Sequence, residues 1–157
     1  MHITRLAVAA AALVAAACAS DGSTSPVVAD RAADSRLAAV AAPPVADLAS
    51  AMVTMKVAVT SSLPETVTGG VCAQAVEART ATSATWTDVT ASTYACPALA
   101  AVLAPGGTLT LTAAAAQAKL KAVAGTGSTV LLRARSSLAG ANTSYNLQSN
   151  EVTYQLP

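Results

Sequence analysis

The residues that could carry out chemistry in this chain are few, and their spacing limits what that chemistry could be. The one histidine is His2, near the start of an N-terminal segment with the features of an export signal. Without an imidazole the remaining chain has no Ser-His-Asp or Cys-His relay, and it lacks the commonest transition-metal ligand. From residue 51 onward the carboxylates are Glu65, Glu77, Asp88 and Glu151, each far from the next in sequence. Glycoside hydrolysis would require the fold to bring two of them together on either side of a bond. Spaced singly among polar residues, they read as solvated surface. Gly125-Thr126-Gly127 has neither the lysine of a phosphate loop nor a helix signature after it, so it reads as a turn. Lys119, Lys121, Arg133 and Arg135 form a mildly basic stretch that could touch anionic lipid or polysaccharide, but a solvated face is the simpler reading. Trp86 could stack on a sugar or anchor a partner; in a chain with no Phe it is expected in the core instead. A formal charge of +1 leaves no electrostatic footprint for nucleic acid. No catalytic residue, metal ligand or cofactor is expected.

The elements that would position these residues fall into three stretches. Residues 1–17 hold one arginine, Arg5, followed by an apolar run over residues 6–17 (LAVAAAALVAAA) that ends at Cys18. Twelve residues are too few to cross a bilayer as a helix, which takes about 20. The run fits a secretory signal peptide. Residues 18–50 are rich in Ala, Pro and Ser and read as a flexible tether. Alanine propensity gives only a fleeting helix over residues 30–42. Residues 51–157 read as the folded domain.

Within that domain, residues 52–60 (MVTMKVAVT) alternate apolar and polar with period two, which predicts a strand with one buried face. Further strands are expected over residues 71–80, 85–90, 108–112 (TLTLT), 129–136 and 152–156, with a lead-in at 144–148. Turns are expected at Pro64, Gly69-Gly70, Ala104-Pro105-Gly106-Gly107 and Gly140. Residues 113–124 (AAAAQAKLKAVA) read either as a short helix crossing between sheets or as an extended stretch. Short strands separated by turns predict an all-β fold, an antiparallel β-sandwich with at most one short helix.

Two resemblances add to this reading. Ala15-Ala16-Ala17-Cys18, followed by the polar residues 20–26, resembles the lipobox of bacterial lipoproteins, with Ala15 where that family prefers Leu. The resemblance implies acylation of Cys18 and a domain held in the cell envelope. Ala19 after the cysteine slightly favours an outer-membrane destination. Cleavage after Ala19 is the alternative, and would release a soluble secreted or periplasmic protein. Either route removes Cys18 from the thiol pool. Cys72 and Cys96 are then expected to pair in an oxidising compartment, with two separate buried thiols as the alternative.

The order Trp86, then Leu103-Ala104-Pro105-Gly106, a Thr-rich strand and Ser149-Asn150-Glu151-Val152 resembles immunoglobulin-like sandwich domains of bacterial surface lipoproteins. More faintly it resembles the BsuPI-type proteinase-inhibitor domain. It departs from the usual immunoglobulin pattern in that Trp86 lies between cysteines only 24 positions apart, a spacing that suits a local hairpin. The resulting expectation is a non-catalytic binding or structural module. It would meet the membrane through its lipid and an envelope protein or polysaccharide through loops near residues 63–70 and 139–143. A proteinase-inhibitor-like domain is the alternative.

Overall fold

The computed structural model describes residues 32–157; the expected signal segment and Cys18 lie outside the described residues. In chain order the elements are β1 (Leu37–Ala41), β2 (Val45–Asp47), β3 (Met52–Ser61), β4 (Val67–Gly70), β5 (Ala75–Arg79) and β6 (Thr87–Asp88). They continue with β7 (Ala100–Leu103), β8 (Thr108–Ala116), α1 (Gln117–Ala124), β9 (Thr129–Ala139), β10 (Ser144–Gln148) and β11 (Val152–Gln155). They form an antiparallel β-sandwich of two sheets with one short helix, the all-β architecture expected from the spacing of strands and turns.

The first sheet is built on β3. Val53, Met55, Val57 and Val59 point inward, while Lys56, Ala58 and Thr60 face out. β8 pairs along its whole length, from Met52 opposite Ala116 to Thr60 opposite Thr108. The other side of β3 takes β1 and β2 end to end. The second sheet is built on β9, whose one side pairs with β5 and β4 and whose other side pairs with β11 and β10. β6 and β7 lie outside β5 and β4. Val57, Val59, Val67, Leu111, Leu120 and Val130 are fully buried between the sheets, so the core is mainly aliphatic, with Tyr145 and Tyr154 buried beside it. Backbone bonds stitch the sheets together at both edges. Thr112 and Ala114 of β8 exchange bonds with Val71, Ala73 and Ala91, and Asn150 donates to the Ala39 carbonyl while its side chain accepts the Ala41 N–H at 2.7 Å.

The structure corrects the reading of residues 18–50 as tether. Leu37–Ala41 is neither tether nor fleeting helix but a strand, and the folded unit begins well before residue 51. Leu37, Ala39 and Ala41 are buried, so the period-two pattern was present but written mostly in alanine. The open backbone edge of β3 supplies hydrogen bonds that outweigh helix propensity worth only tenths of a kcal/mol per residue.

Residues 113–124 satisfy both readings in turn. Ala113–Ala116 complete β8, with Ala113 and Ala115 packed inward, and Gln117–Ala124 is the crossing helix. Leu120 anchors that helix in the core, and Gly125 ends it at φ 60, a conformation open to glycine. At Ala104–Gly107, Pro105 and Gly106 occupy the centre of a turn closed by the Gly107 N–H to Ala104 carbonyl bond. Gly106 has φ 69, as a type II turn requires.

Cys72 and Cys96 are disulfide-bonded, with Cα atoms 6.1 Å apart. The bridge does not close a hairpin. It ties the irregular segment between β6 and β7 to the β4–β5 connection, which is itself fastened to Thr112. Replacing both cysteines by serine is expected to lower unfolding free energy by about 3 kcal/mol in the chain-entropy account. Leu111→Ala should cost about 2–5 kcal/mol through lost burial and a residual cavity. Chemical denaturation checks both.

Candidate functional site

Three places collect the polar side chains. The first is the outer face of the second sheet. Side chains alternate along β5 and β9, so Glu77 and Arg79 share this face with Arg133 and Arg135. The register sets Glu77 opposite Arg133, and Glu77 accepts from Arg133 Nε at 2.7 Å and from Arg135 Nη1 at 3.1 Å. Arg79 donates to Glu151 at 3.0 Å and to the Ser83 carbonyl at 2.8 Å.

Trp86 is not in the core. Extending the β5–β6 register by one residue places it opposite Arg79, and its ring is only half-buried. The guanidinium carbon of Arg133 lies 4.1 Å from the ring centroid and that of Arg79 4.9 Å. The ring therefore already takes cation–π contacts, which disfavours stacking on a sugar. The basic stretch also divides: Arg133 and Arg135 are drawn into this ladder and Lys119 donates to the Thr90 carbonyl at 3.1 Å, while Lys121 stays exposed.

The fold does bring two of the separated carboxylates into register, since Asp88 sits opposite Glu77. They point to different partners. Glu77 meets the two arginines, whereas Asp88 accepts from the N–H and hydroxyl of Thr90. The second place is a shallow cleft of about 370 Å³ between β6 and α1, lined by Thr87, Asp88, Lys119, Ala122 and Val123. Its two charged residues are already bonded to Thr90, so no polar groups converge on it. Among the described residues no cluster of His, Cys, Asp or Glu could hold a metal ion.

The third place joins the two loops in which recognition was expected. Glu65, just after Pro64, reaches across to the turn at 140–143. Its carboxylate accepts the Ala141 N–H at 2.9 Å and the Tyr145 hydroxyl. Gly140 is required for this approach, because a Cβ there would lie 2.8 Å from the Tyr145 ring and 2.9 Å from the Glu65 carboxylate. Arg36 lies over the Tyr145 ring at 5.3 Å and forms an ion pair with Asp34 at 2.8 Å. Asp34 also donates its N–H to the Asn146 carbonyl at 2.7 Å, so the incoming chain docks at this same end.

The Arg36 side chain holds the Asp34 carboxyl down at about 2. The Ala141 N–H, followed by the Tyr145 hydroxyl, lowers Glu65, and the bond to Glu65 raises Tyr145 in turn. The sequence reading named both loops and Glu65 but missed Asp34, Arg36 and Tyr145. The alternation of Leu37, Ala39 and Ala41 was the available signal, since it would have moved Asp34 and Arg36 into the domain.

No protein-family model matches this chain, and no curated protein does. Among solved structures it is similar to Northeast Structural Genomics Consortium target SoR45, with a TM-score of 0.51 at 7% identity over 80% of this chain and 91% of that one. A Bordetella pertussis protein assigned as ApaA aligns with a TM-score of 0.48 at 13% identity, over 77% and 94% of the two chains. The first likeness concerns the fold alone.

Both depressed carboxyls stabilise the docked end above their unfolded pKa, near 4, and lose that contribution as pH falls through their folded values. Protection of the Arg36, Ala141 and Asp34 amides, measured by hydrogen exchange against the intrinsic rate at each pH, is therefore expected to hold at pH 5 and to fall between about pH 4 and pH 2. Glu77→Ala strips two arginines of their shared carboxylate and is expected to destabilise the fold by about 1–3 kcal/mol in chemical denaturation.

Proposed function

We propose that this chain is an exported, non-catalytic binding or structural module of the cell envelope, held by acylation of Cys18, with the outer membrane favoured. The observation that carries the recognition part of this reading is the joining of the 63–66 and 139–143 loops through Glu65, Ala141 and Tyr145. Loops fixed by charge-assisted bonds present one surface at little ordering cost, which suits a binding end. The chain enters at that same end, and residues 19–31 give it a reach of at most about 45 Å from Cys18. The partner met there is an envelope protein or polysaccharide.

A second reading, a proteinase-inhibitor-like domain, is supported by a different feature. The exposed segment 92–99 is tied down at Cys96 and carries Leu99 at its end, as a loop offered to a cleft would be.

A photo-crosslinking residue at position 142 is expected to give an envelope adduct in intact cells, with none from position 110 on the far sheet. Glu65→Ala should remove that adduct while the domain stays folded. Absence of any adduct at 142, together with dose-dependent inhibition of a protease, would shift the reading to the inhibitor. The intact mass of the mature protein is expected to start at Cys18 and to include acyl chains. A soluble product starting at Ser20 would sink the anchor.

A further inference from the structure

A sandwich has sheet edges, and proteins normally guard them with charge, proline, short length or a covering segment. Most edges here follow that rule. The β1–β2 edge is broken by Pro43-Pro44 and carries Asp47. β6 is two residues long and includes Asp88. The far side of β8 is covered by bonds from Val71, Ala73, Val89 and Ala91, and β11 follows Glu151. β7 differs. Its backbone pairs only with β4, and among the described residues nothing bonds its outer edge.

Charge is also absent there. No residue between Asp88 and Lys119 is charged, and none between Glu65 and Glu77, so both β7 and the β4 strand behind it are neutral throughout. Val102 is 64% exposed and Leu99 63%, beside the low outer surface left by Thr68 and Gly70.

We propose that β7 is the seam at which two copies of this chain join, by antiparallel pairing about a twofold axis normal to the second sheet. Self-pairing sets every residue against its own strand, so a charged edge would repel itself; this neutral one does not. Ala101 and Leu103 point inward while Ala100 and Val102 point outward. A twofold partner keeps its core face on the same side when the axis passes at a residue, and Ala101 or Val102, at the middle of β7, gives the longest overlap. Either choice brings Val102 of one copy against Val102 or Ala100 of the other. This pairing names a partner for the structural-module reading and is independent of acylation at Cys18.

Sedimentation velocity on the exported full chain carrying Cys18→Ser is the test. A dimer in the micromolar range is expected, converted to monomer by Val102→Lys with unchanged Tm, while Val40→Lys, equally exposed on β1, stays dimeric. Should Val102→Lys lower Tm, Val102→Cys replaces it: a short bis-maleimide is then expected to link two copies under either register. A monomer at concentrations up to about 1 mM overturns the proposal. So does a Val102→Lys chain that remains dimeric, failure of the Val102→Cys link, or a monomer that instead takes up an extended peptide from another protein.

Discussion

The antiparallel ladder between β3 and β8 runs from Met52 opposite Ala116 to Thr60 opposite Thr108, and the rest of the molecule is arranged around it. These two strands set one row of Val, Met, Leu and Ala against the second sheet and one row of Thr, Lys and Ala toward solvent. A slip of one residue would exchange the two rows, so burial fixes the register strongly. The ladder also leaves two open edges. One is filled by β1 and β2, the other by the segments around Val71–Ala73 and Val89–Ala91. The disulfide acts on this second edge, joining the connection that covers it to the long irregular segment before β7.

Such a core has consequences for the polar residues. Aliphatic side chains and alanine, with Tyr145 and Tyr154, fill the core, and the indole sits outside, where two guanidiniums meet its ring. Each of the domain's carboxylates is taken up in a local structural task. Glu77 and Glu151 hold arginines on the outer face, Asp88 closes a turn on Thr90, and Glu65 joins two loops. Groups that looked dispersed along the chain are therefore partners of backbone and arginine, which gives the surface shape and rigidity.

The parts of the fold that could be read beforehand are those where pattern and composition agreed. The period-two run at residues 52–60, the TLTLT strand and the Ala-Pro-Gly-Gly turn each appear where expected, because side-chain alternation and glycine's access to positive φ are local properties. Alanine defeated the reading at Leu37–Ala41, since a residue that fits buried strand, exposed strand and helix alike carries little information about which it will be. The loops at 63–70 and 139–143 are legible in the sequence, but Tyr145 and Arg36 are not: Tyr145 lies 80 positions from Glu65, and Arg36 joins them only through the Tyr145 ring.

The sequence was enough to specify which faces of the long strands are apolar, where the chain turns and that Cys72 pairs with Cys96. Those properties depend on side-chain type and on neighbours within a few residues. The placement of Trp86 between Arg79 and Arg133, the use of Leu37–Ala41 to close an edge, and the meeting of Glu65 with Ala141 and Tyr145 belong to the assembled sheets. Each depends on strand order and register across long sequence separations. Which distant strands become neighbours is set by the joint burial of both sheets, a condition that no single segment contains.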